Sequence, residues 1–464
     1  MRTYQTADTI AAIATPPGSG GIAILRVSGS NAEAILRAIF RRPGGETAAS
    51  SDWESHRLYY GYVYNRGETI DEAMAVLMRS PRSYTREDVA ELHVHGGAET
   101  ARRALEAALA QGARVAEPGE FTRRAFESGR IDLAQAEATM RLIGASGEAA
   151  ARSALRALAG GPSRFVKDAQ SRLIELLARL GAAIDFPDEI EESGVSREIA
   201  AHIALLRRSL ERECDPRAGR VLDEGLDIAI VGAPNAGKSS LLNALLNEER
   251  AIVHASPGTT RDVLTARLDI SGLRVNLSDT AGLRETSDPV EMIGVTRAKA
   301  RMDRADLTLL VIDASEPFSV DIQCAAASLP VGRRAVILNK SDLPARINPQ
   351  EIAALAPDAA CLSVSAATGD GLERVRELIA KFARALPLES ASLTGARHVE
   401  AARRAAASLA EAEACLLDSS MGGAAIDLAT VDLNAALRAL CEITGETADE
   451  AVIDAVFANF CVGK

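Results

Sequence analysis

The residues best suited to chemistry form a glycine-rich run, Gly-Ala-Pro-Asn-Ala-Gly-Lys-Ser, at 232–239 of this 464-residue chain. The run follows the apolar stretch 226–231 and leads into the helix-like stretch 239–246. In that context glycines let backbone N–H groups wrap phosphates, the lysine reaches the outer phosphate oxygens, and the serine hydroxyl binds Mg²⁺. The sequence therefore predicts a phosphate-binding loop with Lys238 on the phosphates and Ser239 on the metal.

Three further short motifs each follow an apolar, strand-like stretch. Asp-Thr-Ala-Gly at 279–282 can support the magnesium shell through its aspartate and contact the γ-phosphate through its last amide. Asn-Lys-Ser-Asp at 339–342 offers the Asp342 carboxylate to the N1–H and N2 amino group of guanine, a donor pair that adenine lacks. Ser-Ala at 365–366 would place an amide near the guanine O6. This order of motifs favours GTP and resembles the TRAFAC class of GTPases.

The segment Gly-Thr-Thr-Arg-Asp at 258–262 lies between the first two motifs, where a switch loop is expected. Its Thr260 is predicted to be a second Mg²⁺ ligand that is ordered only with the γ-phosphate. Leu283 stands where Ras-type proteins carry a glutamine that orients water, and a leucine cannot do this. Three nearby charged residues are candidates for that role or for charge neutralisation: Arg284, Glu285 and Glu291.

The elements that position these motifs fall into four predicted segments. Residues 1–120 mix short strands with one helix and predict an α+β domain. Residues 121–222 and 385–464 carry long amphipathic Ala/Leu helices. Residues 223–384 alternate nearly continuous apolar strands with helices, which predicts an α/β domain with a mainly parallel sheet. The simplest topology inserts this Ras-like domain into a helical one, although two separate helical domains would give the same pattern.

Composition limits the partners and the compartment. Lys and Arg number 52 against 64 Asp and Glu, a net charge of −12, so no bulk field draws the chain to nucleic acid, although a local basic patch remains possible. The six cysteines are scattered without metal or disulfide spacing, which is typical of a reduced compartment. The sequence shows neither an apolar signal core nor a membrane span, so we expect a cytoplasmic protein.

Several blocks spread along the whole chain resemble one family. They include 8–29, 117–138, the extended motif at 279–294, and the terminal Phe-Cys-Val-Gly-Lys at 460–464. All are similar to the MnmE (TrmE) family of tRNA uridine-modification GTPases. The resemblance implies an N-terminal domain that folds like folate-dependent aminomethyl-transfer proteins, dimerises, and binds a tetrahydrofolate derivative, either 5-formyl- or 5,10-methylene-tetrahydrofolate.

The same resemblance assigns roles to individual residues. The folate contacts would be Arg26, Glu91, Arg130 and Lys464, with Arg130 replacing the lysine often found there. K⁺ would be held by the side chains of Asn235 and Thr259 and the carbonyls of His254 and Ser256, and Glu291 would orient water through a bridging water. The expected catalytic residues are Glu291, Lys238 and Gly282. The residues predicted to contact the nucleotide or its ions are Asn235, Ala236, Gly237, Lys238, Ser239, Ser240, His254, Ser256, Gly258, Thr259, Thr260, Asp279, Thr280, Ala281, Gly282, Asn339, Lys340, Asp342, Ser365 and Ala366.

The function implied by the resemblance is K⁺-stimulated GTP hydrolysis coupled to tRNA modification. With an FAD-dependent partner (MnmG, also called GidA), a homodimer would add a carboxymethylaminomethyl-type group at C5 of the wobble uridine. The alternative is a GTPase switch in ribosome assembly without a modification reaction. Cys461 could add to C6 of a pyrimidine, but packing at a helix end is favoured. His93 and His95 lack a third ligand at metal spacing, so packing or loop contacts are favoured.

Overall fold

A computed structural model places most of the chain in two compact units. The residues that the structure describes are 8–43, 53–185, 192–247, 265–279, 302–386, 388, 392–418, 420, 424–460 and 463. One unit comprises Met1–Met140, Ala157–Arg207 and Arg404–Lys464. The other unit comprises Arg141–Arg156 and Arg208–Arg403.

The first unit contains a seven-stranded sheet. Its strands are β1 (Ile10–Ile13), β2 (Ile22–Ser28), β3 (Phe40–Arg41), β4 (Leu58–Asn65), β5 (Glu68–Met78), β6 (Val89–His95) and β7 (Arg114–Val115). The spatial order is β3-β4-β5-β6-β2-β1-β7, and every neighbouring pair is antiparallel except β1 and β7. Burial alternates along β2 and β6, as expected of strands with one face in the core. Residues 26 and 91 face each other in the β2–β6 pair.

The second unit contains a six-stranded sheet. Its strands are β8 (Leu226–Val231), β9 (Thr265–Ile270), β10 (Leu273–Asp279), β11 (Leu307–Asp313), β12 (Arg334–Asn339) and β13 (Ala360–Ser363). The order is β13-β12-β11-β8-β10-β9, and only the edge strand β9 is antiparallel to its neighbour. Every residue of β11 is buried, because helices cover both faces of the sheet.

The helices of the described residues account for most of the remaining chain. In chain order they are α1 (Ala32–Ile39), α2 (Ala98–Ala110), α3 (Glu120–Glu127), α4 (Leu133–Gly144), α5 (Glu148–Leu158), α6 (Gly161–Asp185), α7 (Glu192–Glu213), α8 (Pro216–Glu224), α9 (Lys238–Asn247), α10 (Val320–Ala327), α11 (Pro349–Leu355), α12 (Leu372–Ala385), α13 (Ala396–Leu417), α14 (Ala424–Thr444) and α15 (Glu450–Ala458). Helices α6 and α14 pack together, and Gln170 donates to the Cys441 sulfur over 3.3 Å. None of these described helices has both the length and the hydropathy that a membrane span requires.

These elements confirm the predicted fold class, an α+β N-terminal sheet, long helices, and an α/β sheet that is mainly parallel. One face of the parallel sheet packs on α9 and α12, and its other face packs on α10 and α11. The domain boundaries expected at residues 120, 222 and 384 stay a prediction.

A buried ionic network holds α3 against the N-terminal sheet. Arg124 is 6% exposed and lies 2.6 Å from Asp8, 3.0 Å from Glu120 and 3.2 Å from Glu87. Arg114 also contacts Asp8 and Glu120, at 2.8 and 2.6 Å. Burial would raise the pKa values of both carboxyls, but the hydrogen bonds from the two arginines outweigh it and hold each pKa below its ordinary value.

We expect Arg124→Met to lower the free energy of unfolding at neutral pH by about 3 kcal/mol, because it leaves Glu120 buried beside fewer cations. The depressed pKa values mean that the network stabilises the fold above about pH 4, and that this stability is lost as the pH falls through the folded-state values. The wild type should therefore lose more stability on acidification than the variant does.

The measurement is urea unfolding followed by the fluorescence of Trp53, the single tryptophan, which is buried in the core of this sheet. Equal unfolding free energies for the two proteins from pH 7 down to pH 3 would contradict the proposed contribution of the network. Arg102→Met is the matched control, since Arg102 lies on the exposed face of α2 in a surface pair with Glu99.

Candidate functional site

The loop at the end of β8 has the backbone that phosphate wrapping requires. Gly232 has φ +150°, and a Cβ there would lie 2.2 Å from the carbonyl oxygen of Val311 on β11. Gly237 has φ +89°, and its Cβ would lie 2.1 Å from Nδ2 of Asn339. Side chains at these two positions would collide with neighbouring strands, so glycine is required at both. Asn235, with φ +64°, is exposed at the tip of the loop.

Lys238 and Ser239 open helix α9 directly after this loop. Lys238 is 5% exposed, and its ammonium group donates to the carbonyl oxygen of Ala233 over 2.7 Å. The lysine thus lies across the loop at a helix N-terminus, where backbone amides and the helix dipole favour an anion. Ser239 and Ser240 are exposed in the first turn, whereas Ala236, within the loop, is buried. The arrangement can bind a phosphate chain.

Asn339 joins three motifs that are far apart in the sequence. Its side chain is 2% exposed at the end of β12. The amide nitrogen donates to the carbonyl oxygen of Ala236 over 2.9 Å, and the amide oxygen accepts from the backbone N–H of Ala366 over 3.1 Å. The phosphate loop, the Asn-Lys-Ser-Asp motif and the Ser-Ala turn therefore form one assembly.

The other residues of the base-recognition motif are held by short polar contacts. Ser365 donates to a carboxylate oxygen of the exposed Asp342 over 2.6 Å. Lys340, with φ +62°, pairs with Asp313 at 2.6 Å. Burial would raise the pKa of Asp313, but hydrogen bonds from Lys340 and Ser315 hold it below its ordinary value. Asp313 was not among the residues predicted from the sequence. An acidic residue at the carboxyl end of a buried parallel strand nevertheless indicates a residue that supports a binding site.

Strand β10 ends at Asp279, the first residue of the Asp-Thr-Ala-Gly motif, beside the strand that leads into the phosphate loop. It runs parallel to β8, with Asp279 in register with Ile230 near the carboxyl end of that strand. The structure describes the backbone of Asp279 and not its side chain. The other predicted residues that lie outside the described part of the chain are His254, Ser256, Gly258, Thr259, Thr260, Thr280, Ala281, Gly282, Leu283, Arg284, Glu285, Glu291, Cys461 and Lys464.

A second cluster of predicted residues lies on the seven-stranded sheet. The β2–β6 pairing sets Arg26 opposite Glu91, and the guanidinium Nε donates to the carboxylate over 2.8 Å. The Arg26 guanidinium carbon is 5.6 Å from the ring centroid of Tyr84 and 5.7 Å from that of Phe121. The guanidinium carbon of Arg130 is 4.4 Å from the same tyrosine centroid. Two of the four expected folate contacts, Arg26 and Arg130, thus share one aromatic ring, and Glu91 joins them through its ion pair with Arg26.

The end of the chain reaches the same cluster. Arg26 donates to the carbonyl oxygen of Gly463 over 3.4 Å. Gly463 has φ +94°, and a Cβ there would lie 2.3 Å from the carbonyl oxygen of Ile13 on β1. The residue preceding Lys464 is therefore fixed against the N-terminal sheet. Burial would raise the pKa of Glu91, but His93, at 3.5 Å, and Arg26 outweigh it and lower that pKa.

The remaining sequence candidates have ordinary contacts. His95 is exposed and interacts with Asp71 through Nδ1 at 2.8 Å, and this hydrogen bond raises the pKa of His95. Within the described chain, no group of three His, Cys, Asp or Glu side chains is arranged to hold a metal ion. The described cysteines are free thiols, and burial raises the pKa of Cys214 to about 11. A thiol with such a pKa is a poor nucleophile at neutral pH.

A parallel sheet that combines this glycine-rich loop with an Asn-Lys-Ser-Asp motif at a neighbouring strand end defines the class of P-loop GTPases. Two family models match the chain, the MnmE helical domain at residues 133–461 and the N-terminus of the GTP-binding protein TrmE at residues 9–130. The chain belongs to the MnmE family.

Curated relatives match over nearly the full length. The tRNA modification GTPase MnmE of Heliobacterium modesticaldum is 45% identical over 98% of this chain and 99% of that protein. The protein of the same name from Symbiobacterium thermophilum is 44% identical, again over 98% of this chain and 99% of that protein. A solved structure of the G domain of the T. maritima FeoB iron transporter is 27% identical over 34% of this chain and 98% of that chain, with a TM-score of 0.27.

We expect Asn339→Ala to weaken GTP binding by about tenfold to a hundredfold, because a buried carbonyl and an amide each lose a partner worth roughly 1–3 kcal/mol. Binding of xanthosine triphosphate should fall by a similar factor, because the lost hydrogen bonds hold the loops together and do not contact the base. Asp342→Asn should instead change the selectivity. When its amide oxygen accepts from N1–H, its NH2 group faces position 2 of the base, where it can donate to the O2 carbonyl of xanthine but cannot accept from the N2 amino group of guanine.

Titration with fluorescent guanosine and xanthosine nucleotides measures both effects. This division of roles would be contradicted if Asn339→Ala changed the affinity for only one of the two nucleotides. It would also be contradicted if Asp342→Asn lowered the affinity for both nucleotides equally. Asn348→Ala serves as the control, because Asn348 caps helix α11 and contacts none of these motifs among the described residues.

Proposed function

We propose that this chain is a K⁺-stimulated, Mg²⁺-dependent GTP hydrolase that takes part in tRNA modification. With an FAD-dependent partner of the MnmG (GidA) type, it adds a carboxymethylaminomethyl-type group at C5 of the wobble uridine, and a tetrahydrofolate derivative supplies one carbon. The observation that carries the nucleotide half is the double hydrogen bond of Asn339, which joins the phosphate loop to the base-recognition motifs. Membership of the MnmE family supports the tRNA half.

At the nucleotide, the chain's residues bind phosphates, orient the base and hold the metal. Lys238 exchanges the carbonyl of Ala233 for phosphate oxygens, and the amides of the loop surround them. Ser239, exposed at the start of α9, presents its hydroxyl to Mg²⁺, and Thr260 is its proposed second protein ligand. The Gly282 amide contacts the γ-phosphate, and Glu291 orients the attacking water because Leu283 cannot.

The proposed K⁺ site includes the exposed tip of the phosphate loop. Asn235 has a left-handed backbone and its side chain is not packed into the core, so its amide oxygen is available as a ligand. Thr259 and the carbonyls of His254 and Ser256 complete the proposed set. A cation at this position supplies positive charge where other GTPases use an arginine finger.

The folate half rests on the cluster around Tyr84. Arg26, Arg130 and Lys464 offer positive groups to the carboxylates of the folate tail, and Glu91 offers an acceptor to the amino-substituted pterin ring. The residues fit such a ligand, because Arg130 forms no ion pair with a carboxylate within the described chain. The bound folate contributes the carbon unit, and the protein contributes orientation.

The proposed assembly is a cytoplasmic homodimer that binds the FAD-dependent partner and tRNA. Its domains are an N-terminal folate and dimerisation domain at 1–120, a helical domain at 121–222 and 385–464, and the inserted G domain at 223–384. The G domains pair across the dimer in a K⁺-dependent way. Cys461 has a packing role in this proposal.

We expect GTP hydrolysis by the wild type to be at least about tenfold faster in KCl than in NaCl, because transition-state charge compensation depends on the bound ion. Asn235→Ala should abolish the difference by removing a ligand. The measurement is phosphate release at equal ionic strength in the two salts. Asn243→Ala, an exposed residue of α9, should keep the wild-type ratio. Equal wild-type rates in both salts would refute the K⁺ site.

We expect a bacterial strain that lacks its own family member to regain the modified wobble uridine when it expresses this chain. Arg26→Gln should fail to restore it, because the variant removes a folate contact and the ion pair to Glu91. Mass spectrometry of tRNA nucleosides measures the outcome. Unmodified uridine in cells that express soluble wild-type chain would favour the alternative, a GTPase switch without a modification reaction.

A further inference from the structure

Arg130 differs from the other arginines around it in how its charge is used. Its guanidinium carbon lies 4.4 Å from the ring centroid of Tyr84, and within the described part of the chain it has no carboxylate partner. Arg26, in contrast, is tied to Glu91, and Arg124 contacts three carboxylates. Arg130 is also exposed at the loop that follows α3. An exposed guanidinium stacked on an aromatic ring keeps its N–H groups for a planar anion.

The Tyr84 ring is itself fixed from several sides. Its hydroxyl group lies 2.9 Å from Oγ1 of Thr122 on α3. The ring packs against one apolar cluster that includes Ile10 and Phe121, and against a second that includes Phe457 and Phe460. Tyr84 therefore has one position relative to the sheet, to α3 and to the C-terminal helix α15. A group that stacks on the ring is therefore held in a fixed position as well.

We propose that Tyr84 is a positioning residue of the folate site, and that it acts by holding Arg130 in place for a ligand carboxylate. This inference rests on the proposed folate function and names a residue that acts through another. Both arginines of the site lie within 6 Å of the same ring centroid, at 4.4 and 5.6 Å. The ring therefore sets the spacing between the two positive groups that the ligand meets.

The stack on Tyr84 also suits an arginine at position 130 better than a lysine. A planar guanidinium stacks on an aromatic face, and it binds a carboxylate through two parallel N–H groups at the same time. A lysine ammonium offers a point charge on a flexible stem and gains less from the ring. In this chain the tyrosine and the arginine form one functional pair.

The test is a double-mutant cycle on the full-length protein, with 5-formyltetrahydrofolate as the probe and equilibrium dialysis as the measurement. We expect Tyr84→Leu to raise the Kd about fivefold, in line with the loss of an exposed cation–π contact. Tyr84→Phe should stay within about twofold, because the ring face remains. In an Arg130→Gln background, Tyr84→Leu should change the Kd by less than about threefold, because the group it positions has been removed.

Control variants separate this role from a general structural one. Tyr64→Leu removes a similar stack, with Arg41 at 4.7 Å, on β4 of the same sheet, and it should leave the Kd unchanged. If Tyr84→Leu does not fold, as judged by Trp53 fluorescence, then Arg130→Lys provides the test. The Kd should rise about threefold to tenfold, because an ammonium group cannot form the two parallel N–H hydrogen bonds of a planar guanidinium. An unchanged Kd in that variant would overturn the inference.

The outcomes also distinguish the two hypotheses. Wild-type protein that fails to bind the probe would overturn the proposed folate site together with this role. Wild-type binding with equal, additive losses in the cycle would overturn the role of Tyr84 alone. Coupled losses, with Tyr84→Phe close to the wild type, would support it.

Discussion

The side-chain amide of Asn339 is the contact on which the nucleotide site depends. Its two hydrogen bonds join a loop after β8 to a turn after β13, and its position is set by the carboxyl end of β12. Parallel strands bring all these ends to one edge of the sheet, and the buried amide then fixes the loops relative to one another. Gly237 is required because Asn339 occupies the space that a Cβ would need.

The proposed folate site is built by a different means, through strand register and the docking of the chain terminus. Arg26 and Glu91 are 65 residues apart and meet because β2 pairs with β6, while Arg26 and Gly463 are 437 residues apart. The site therefore exists only when the N-terminal sheet, α3 and the C-terminal segment are all folded. The Arg124 network stabilises this arrangement, because it holds α3 against the sheet, and Thr122 on α3 contacts the Tyr84 hydroxyl group.

The sequence was sufficient for features that depend on local order. Buried strands, the phosphate loop and the base motif follow from runs of adjacent residues, and the structure gives these residues the expected neighbours. Asp313 is visible in the sequence only as an acidic residue at a strand end, and the contacts of Tyr84 and Asp313 could not be predicted in this way. Each contacts a partner on another element, Arg130 for the tyrosine and Lys340 for the aspartate, and no local periodicity encodes such pairs.

The net charge of −12 takes on a different meaning once the contacts are known. Acidic residues are used locally: Asp8, Glu87 and Glu120 surround Arg124, and Asp306 pairs with Arg217 and Arg220. Arginines engaged in this way add little to long-range attraction, because their charge is compensated within a few ångströms. Arg130 has no such compensation among the described residues, so the anion recognition that we propose depends on this local arginine rather than on the sum of charges.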